Sequence, residues 1–351
     1  MPIALFCAQD TRCGDKRAAW QAHLPRHSKV VPVGGDHFTM MNAPNVALLA
    51  AALSDALGGP VPARIGHDEH DYDPLITLQT GRPGQRPLFC VPGAGASVTA
   101  FTGLVQEFDP AVPVYGLQPR GFCGQLAPHV DVESAARAYI RALRTVDPAG
   151  PYRLLGHSFG GWVAHEMALQ LRAQGSTVEL LVVLDSQSPF ERCGMARWNR
   201  VDMLMRLVGL FDLSAPAPLD IGPHELQGLD HEAQLRLLLT RLIDVRLMHA
   251  RTSVEVLRGL VRVFETNLNT HYACDGCLTA AKLHLVDVTE GRHGPDSDQR
   301  EVLGWLDHVA EVTHWTGPGN HNTLLNAPNV GQLARWMRTL VSAPGATVPL
   351  S

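Results

Sequence analysis

Residues 152–161 read YRLLGHSFGG and continue into the largely apolar run WVAHEMAL of residues 162–169. The pattern predicts a short strand, a turn pinched by glycines and a helix, with Ser158 at the apex of the turn. Glycines flank the serine because a strand and a helix that come so close leave no room for a Cβ atom. A serine on such a turn has its hydroxyl pushed clear of the backbone. The pattern therefore indicates the nucleophile of a serine hydrolase.

Short apolar segments alternate with amphipathic helices from Pro74 onward. Runs of Val and Leu without polar alternation are typical of strands that are covered on both faces. Asp131 is the predicted N-cap of a helix that ends near Val146. Seven strands are predicted, over residues 75–79, 87–91, 114–117, 152–155, 180–184, 282–288 and 311–316. This alternation predicts an α/β fold, a mainly parallel sheet with helices on both faces.

Between about residues 190 and 272 the alternation stops and only helices are predicted. Their segments are residues 201–211, 231–245 and 254–268. An all-helical insertion between two strands of such a sheet is expected to form a lid over the active site. The other interpretation is that these helices only enlarge the core.

The composition argues against several functional classes. The 351 residues carry a net charge of −5 and contain no basic block, which argues against a nucleic-acid surface. The longest apolar runs are too short to cross a membrane, and the N-terminus lacks the positive segment of a signal peptide. Seven cysteines without pairing rhythm favour a reducing, cytoplasmic location.

The chain contains a long internal repeat. Residues 35–46 read GDHFTMMNAPNV, and residues 319–330 read GNHNTLLNAPNV. Each copy belongs to a predicted strand-helix-strand-helix unit, and the two copies lie too far apart for a solenoid repeat. We predict that residues 1–58 are the C-terminal remnant of a preceding copy of the domain. Residues 59–73 then form a linker and residues 74–345 form the second copy.

A serine nucleophile needs a base that takes its proton and an acid that orients the base. His321 follows the last predicted strand in a glycine-rich loop, which fits the chain order of serine, acid and histidine. Asp185, at the end of a strand, is the favoured acid, because carboxyl ends of parallel strands face the ligand crevice. Glu290 is the substitute, while Asp287 is expected inside its strand.

An oxyanion hole requires two backbone N–H groups near the nucleophile. Phe159 directly follows Ser158, and Ala94 lies in the glycine-rich turn that follows a strand. That turn could instead cradle a phosphate, but it lacks the lysine of a P-loop. No metal and no cofactor of the protein's own are expected.

Three ordered motifs resemble the thioesterase domains that end nonribosomal peptide synthetases. They are LFCVPGAG at residues 88–95, VYGLQPRG at residues 114–121 and YRLLGHSFGG at residues 152–161. The resemblance continues through LDS at residues 184–186 and GNH at residues 319–321. It implies the α/β-hydrolase fold with a helical lid. It also implies a catalytic triad of Ser158, Asp185 and His321, with oxyanion amides from Ala94 and Phe159.

The resemblance also gives the repeat a meaning. His37, in the first copy, matches the histidine loop of the family, so the chain resembles the second of two tandem thioesterases with the tail of the first. No matching serine or acid accompanies His37. We therefore expect His37 to be catalytically idle.

The function that the resemblance implies is a serine thioesterase. It would release a peptidyl or acyl chain from phosphopantetheine on an upstream peptidyl carrier domain, by macrocyclisation or hydrolysis, through an acyl-enzyme on Ser158. The implied partners are that carrier domain and the preceding thioesterase domain. The alternatives are an editing thioesterase that clears misloaded carriers and a non-catalytic partner domain that binds a carrier. The elbow, Asp185 and His321 favour an enzyme.

Overall fold

The computed structural model of the chain describes residues 4–8, 29–33, 40, 45–56, 72–189, 199–213, 215–270, 272, 274, 278–288, 290, 302 and 304–342. The chain divides into two compact units, residues 1–71 and 72–351. His37 and nearly all of the predicted linker lie outside the described residues. The domain boundaries proposed from the sequence stay predictions.

The first unit contains two parallel strands and a helix. Strand β1 (Ala4–Ala8) pairs with β2 (Lys29–Val33), and helix α1 (Asn45–Ala56) contacts β2. Val33 of β2 and Leu49 of α1 are buried. Two strands and a helix of the unit predicted for the first copy therefore form.

The second unit is built on a seven-stranded sheet with the order β3-β5-β4-β6-β7-β8-β9. Strand β3 runs antiparallel to β5, and the other neighbours are parallel. All seven predicted strands form, with ends that differ from the prediction by at most four residues. They are β3 (Leu75–Gln79), β4 (Leu88–Val91), β5 (Val114–Leu117), β6 (Tyr152–His157), β7 (Val178–Leu184), β8 (Leu278–Val288) and β9 (Val309–Gly317).

Eight α-helices accompany the sheet in the described part of this unit, and a 3₁₀ turn (Val98–Phe101) precedes the first of them. They are α2 (Thr102–Glu107), α3 (Val132–Val146), α4 (Phe159–Ala173), α5 (Arg200–Asp212), α6 (Pro223–Leu226), α7 (His231–Asp244), α8 (Val254–Asn269) and α9 (Val330–Ser342). The N-cap of α3 is Asp131, as predicted, and its carboxylate accepts from the Ser134 amide at 2.6 Å. None of the helices that the structure describes is long and apolar enough to span a bilayer.

The sheet is covered on both faces, which explains its unbroken apolar strands. In β6, Leu154 joins the cluster beneath α3 and α4, whereas Leu155 joins the cluster beneath α2 and α9. Both side chains are fully buried. Successive side chains of a strand point to opposite faces, so a central strand of this sheet needs apolar residues at every position.

The helical insertion between β7 and β8 has a core of its own. The predicted helices form as α5, α7 and α8, with the short α6 in addition. Their shared cluster is built from leucines such as Leu207, Leu235 and Leu257. Two residues from the loops of the sheet domain, Ala94 and Phe122, pack against this cluster. The insertion is therefore seated on the edge where β4 and β5 end.

Candidate active site

Ser158 lies between β6 and α4 in a backbone conformation that side chains rarely adopt, with φ 54° and ψ −126°. The amide of Ser158 donates to the Leu184 carbonyl at 2.9 Å. A Cβ atom on Gly156 would overlap the Gly160 carbonyl, and one on Gly160 would overlap the Val91 carbonyl. The glycines are thus required by close backbone contacts, as the sequence predicts for a strand-turn-helix elbow.

Asp185 and His321 are in direct contact. The Nδ1 atom of His321 lies 2.6 Å from Oδ2 of Asp185. The Asp185 side chain is 9% exposed and follows β7 with φ 43°, while that of His321 is 44% exposed. Donation from Nδ1 to a carboxylate leaves Nε2 as the proton acceptor of the imidazole. The ring is thereby prepared to act as a base.

The other two candidate acids have different partners. Glu290 lies beside the histidine loop. Its backbone N–H donates to the Gly319 carbonyl at 2.8 Å, and its carboxylate is 3.4 Å from the side-chain nitrogen Nδ2 of Asn320. Asp287 is fully buried inside β8, as expected, and contacts Nε2 of His314 at 2.6 Å. Asp185 is therefore the candidate acid that the structure joins to His321. Its catalytic role stays a prediction.

His157 holds the histidine loop against the elbow. Its Nε2 donates to the backbone carbonyl of His321 at 3.0 Å. Burial, followed by the nearby His321, lowers the pKa of His157 to about 4, although Asp185 opposes this shift. The ring is therefore neutral at pH 7. Sequence reasoning missed this contact; the available signal was the position of His157 directly before Ser158.

The predicted oxyanion residues flank the serine. The turn that carries Ala94 passes so close that a Cβ atom on Gly93 would lie 3.2 Å from Cβ of Ser158. Phe159 is the first residue of α4, where the helix offers its N–H no partner. The positions suit donors to a developing oxyanion. The assignment of these two amides stays a prediction.

Two buried indoles hold the loop that follows Asp185. Trp162 of α4 donates to the Gln187 carbonyl at 2.9 Å, and Trp305 donates to the Ser186 carbonyl at 3.1 Å. Both side chains are almost completely buried. These contacts were not predicted, because each joins segments that lie far apart in the chain.

Comparisons with known proteins identify the family of the chain. Residues 86–339 match the model of the thioesterase domain family. The chain is 39% identical over 199 residues to the dimodular nonribosomal peptide synthase of Bacillus subtilis (strain 168), which covers 57% of this chain and 8% of the synthase. It is 35% identical over 165 residues to malpibaldin synthetase of Mortierella alpina, covering 47% of this chain and 3% of the synthetase. The chain thus spans a small fraction of these relatives.

Solved structures support the same fold. A four-domain nonribosomal peptide synthetase bound to AMP and glycine superposes with a TM-score of 0.67 at 24% identity, covering 78% of this chain and 20% of that one. The Vlm2 thioesterase domain, bound with a dodecadepsipeptide, gives a TM-score of 0.56 at 21% identity, covering 76% of this chain and 97% of that domain. These likenesses, with the mainly parallel sheet, confirm the predicted α/β-hydrolase fold. The chain belongs to the thioesterase domain family.

Proposed function

We propose that this domain releases a peptidyl or acyl chain from the phosphopantetheine of a carrier domain through an acyl-enzyme on Ser158. The observation that carries the proposal is the 2.6 Å contact between His321 Nδ1 and Asp185 Oδ2 beside the elbow. The strained backbone of Ser158 adds support, because such strain is concentrated at functional sites. The similarity to regions of nonribosomal peptide synthetases suggests the carrier-bound substrate.

In the first step, Oγ of Ser158 attacks the thioester carbon while Nε2 of His321 takes its proton. Asp185 stabilises the imidazolium that forms. The amides of Ala94 and Phe159 donate to the oxyanion of the tetrahedral intermediate. Collapse of the intermediate breaks the C–S bond, and the departing thiol takes the proton from His321.

In the second step, His321 removes a proton from water, or from a hydroxyl or amine of the bound chain. The resulting attack on the ester breaks the bond to Oγ of Ser158, which takes the proton back from His321, and so releases a linear acid or a macrocycle. The chemistry uses side chains and backbone amides alone. The proposed partners are the upstream peptidyl carrier domain, which presents the peptidyl or acyl thioester, and the preceding thioesterase domain.

Residues 1–58 are proposed to be the end of a preceding thioesterase domain. The repeated motif around His37 and His321 supports this proposal. So does the shared order of two parallel strands and a helix, which is β1, β2 and α1 in one copy and β8, β9 and α9 in the other. On this view His37 is idle in this chain.

The test offers the purified chain a panel of full-length peptidyl and short acyl thioesters and identifies the products by mass spectrometry. Ser158→Ala and His321→Gln should each lower turnover by at least about 10³-fold. His314→Gln is the matched control, because it alters the other Asp–His pair, and it should keep most of the activity. Hydrolysis of short acyl groups alone would favour editing. Failure of a fluorophosphonate to label Ser158 in folded protein would favour a non-catalytic domain.

A further inference from the structure

A recess opens beside Phe159, one of the two candidate oxyanion residues, where β4 and β5 end. On one side its wall is formed by Pro92 and Phe159, which flank the elbow. On the other side it is formed by Val263 and Asn267, which lie one turn apart on α8 and so share a helix face. The recess therefore connects the insertion to the reacting centre.

Asn267 carries an unused hydrogen-bonding group into this recess. The residue is only 8% exposed and lines the recess, and its carboxamide makes no hydrogen bond to the residues that the structure describes. By contrast, the amide of Asn269 donates to the Glu265 carbonyl of its own helix at 2.9 Å. Neither polar atom of this side chain is among the buried atoms that lack a partner, so the carboxamide stays accessible from the recess. It can therefore bond to a ligand that enters the recess.

Helix α8 is held firmly against the reacting centre. A Cβ atom on Gly95, which has φ +69°, would lie 2.6 Å from the ring of Phe264, so this side chain packs directly on the oxyanion turn. A Cβ atom on Gly259 would lie 2.5 Å from Cα of Gly124, so the helix also touches the loop after β5. These two contacts fix the position of Asn267 relative to the oxyanion turn.

The charges around the recess favour a neutral ligand. Burial, and after it the positive charge of Arg120, lowers the pKa of His129 to about 4, so this wall residue is uncharged at pH 7. Arg120 itself is accompanied by Asp131 of opposite charge. A carboxamide both donates and accepts hydrogen bonds, and a secondary amide is a neutral group that complements it on both counts.

We propose that Asn267 binds a secondary amide of the thioester substrate next to the reacting carbonyl. The inference rests on the proposed function and names a specificity-determining residue for it. Secondary amides occur in two parts of such a substrate, the peptide bonds of the acyl chain and the pantetheine arm. The chemistry at Asn267 is the same for both, so the experiment has to separate them.

The test uses four thioesters of similar length. The acyl half is either hexanoyl or N-acetylalanyl, and the thiol half is either N-acetylcysteamine or the amide-free pentanethiol. Asn267→Leu removes the amide donor and acceptor at similar volume, and Asn269→Leu is the control on the same helix. We expect Asn267→Leu to lower kcat/KM about tenfold, the size of one hydrogen bond, on thioesters that carry the recognised amide. Pentyl hexanoyl thioester should be hydrolysed as by the wild type.

The pattern across the panel identifies the source. A loss confined to N-acetylalanyl substrates assigns the acyl chain, and a loss confined to N-acetylcysteamine thioesters assigns the pantetheine arm. An equal fall on all four substrates, or no fall on any, overturns the inference while leaving the proposed function intact. Inactivity of the wild type with no fluorophosphonate labelling of Ser158 overturns both. Thermal unfolding adds a second readout. Asn267→Leu should not lower Tm, because the side-chain amide has no hydrogen-bond partner in the free protein. A lower Tm would indicate a structural role for Asn267 instead.

Discussion

Ser158 and Asp185 both adopt a positive φ, 54° and 43°, in a region that costs a residue with a Cβ atom about 1–3 kcal/mol. The surrounding sheet holds them there. The Ser158 amide donates to Leu184 at the end of β7, and the Asp185 amide donates to Val286 of β8 at 2.7 Å. Three neighbouring strands are thus joined at the residues that carry the proposed chemistry. The strain is stored where the nucleophile and the acid must project from the sheet.

The indole of Trp305 offers a test of this arrangement. Trp305→Phe keeps an aromatic ring but removes the donor to the buried Ser186 carbonyl, which should lower the free energy of unfolding by about 1–3 kcal/mol. Because Asp185 precedes that carbonyl in the chain, we also expect kcat/KM to fall about tenfold through misplacement of the acid. Steady-state kinetics and thermal unfolding measure the two effects.

Trp315→Phe is the control for Trp305. Trp315 stacks on Trp336, with ring centroids 4.9 Å apart, in the cluster on the other face of the sheet. The Trp315→Phe variant should lose stability without a comparable loss of kcat/KM. If Trp305→Phe lowers stability but leaves kcat/KM unchanged, the indole is not a positioning residue for Asp185.

At the scale of elements, helix α8 of the insertion contacts loops of the sheet domain, and two glycines test this contact. Gly259→Ala would force a Cβ atom against the backbone of Gly124, so we expect a loss of about 1–3 kcal/mol in stability. Gly209→Ala, in α5, meets open space and should instead stabilise the protein by about 0.5–1 kcal/mol. Thermal or urea unfolding of both variants gives the sign of each change in stability. Equal effects of the two substitutions would show that α8 does not contact the loop after β5 in solution.

Local sequence patterns predict these elements, but they do not predict some of the contacts between the elements. The elbow and the seven strands follow from apolar runs and glycines that lie close together in the sequence, and Asp131 lies next to the helix that it caps. The contacts of His157 and Trp305 join residues 164 and 119 positions apart. They depend on the crossovers that produce the strand order, which no local pattern encodes. Asn267 could not be identified because its distinctive property is the absence of a partner in three dimensions.

For the whole molecule, a buried histidine makes stability depend on pH. His165 is fully buried, its Nδ1 lies 3.2 Å from the Tyr272 hydroxyl, and that hydroxyl donates to Glu166 at 2.7 Å. Its ring also packs edge-on against Trp305 and His308. Burial, followed by the charge that His308 would carry, lowers the pKa of His165 to about 3. His165 is therefore neutral in the folded protein throughout the physiological range.

The direction of the pH effect follows from proton binding. Below pH 6.5 the unfolded chain protonates this histidine, whereas the folded protein does not until about pH 3. Stability from His165 is therefore complete above pH 6.5 and is lost as the pH falls, at about 1.4 kcal/mol per pH unit. We expect a loss of about 2 kcal/mol at pH 5.0 from this residue. The effect of His157, whose pKa is also lowered, has the same sign.

Urea unfolding at pH 7.5 and pH 5.0 measures the effect, in a range where carboxylates contribute little because they titrate at lower pH. His165→Gln should reduce the difference between the two pH values by about 2 kcal/mol, since glutamine stays neutral and can still bond to Tyr272. His224→Gln, which changes an exposed histidine of α6, should leave the difference as in the wild type. If His165→Gln retains the full difference, the acid sensitivity arises elsewhere. The polar cluster of His165, Tyr272 and Glu166 would then contribute no pH dependence to the fold.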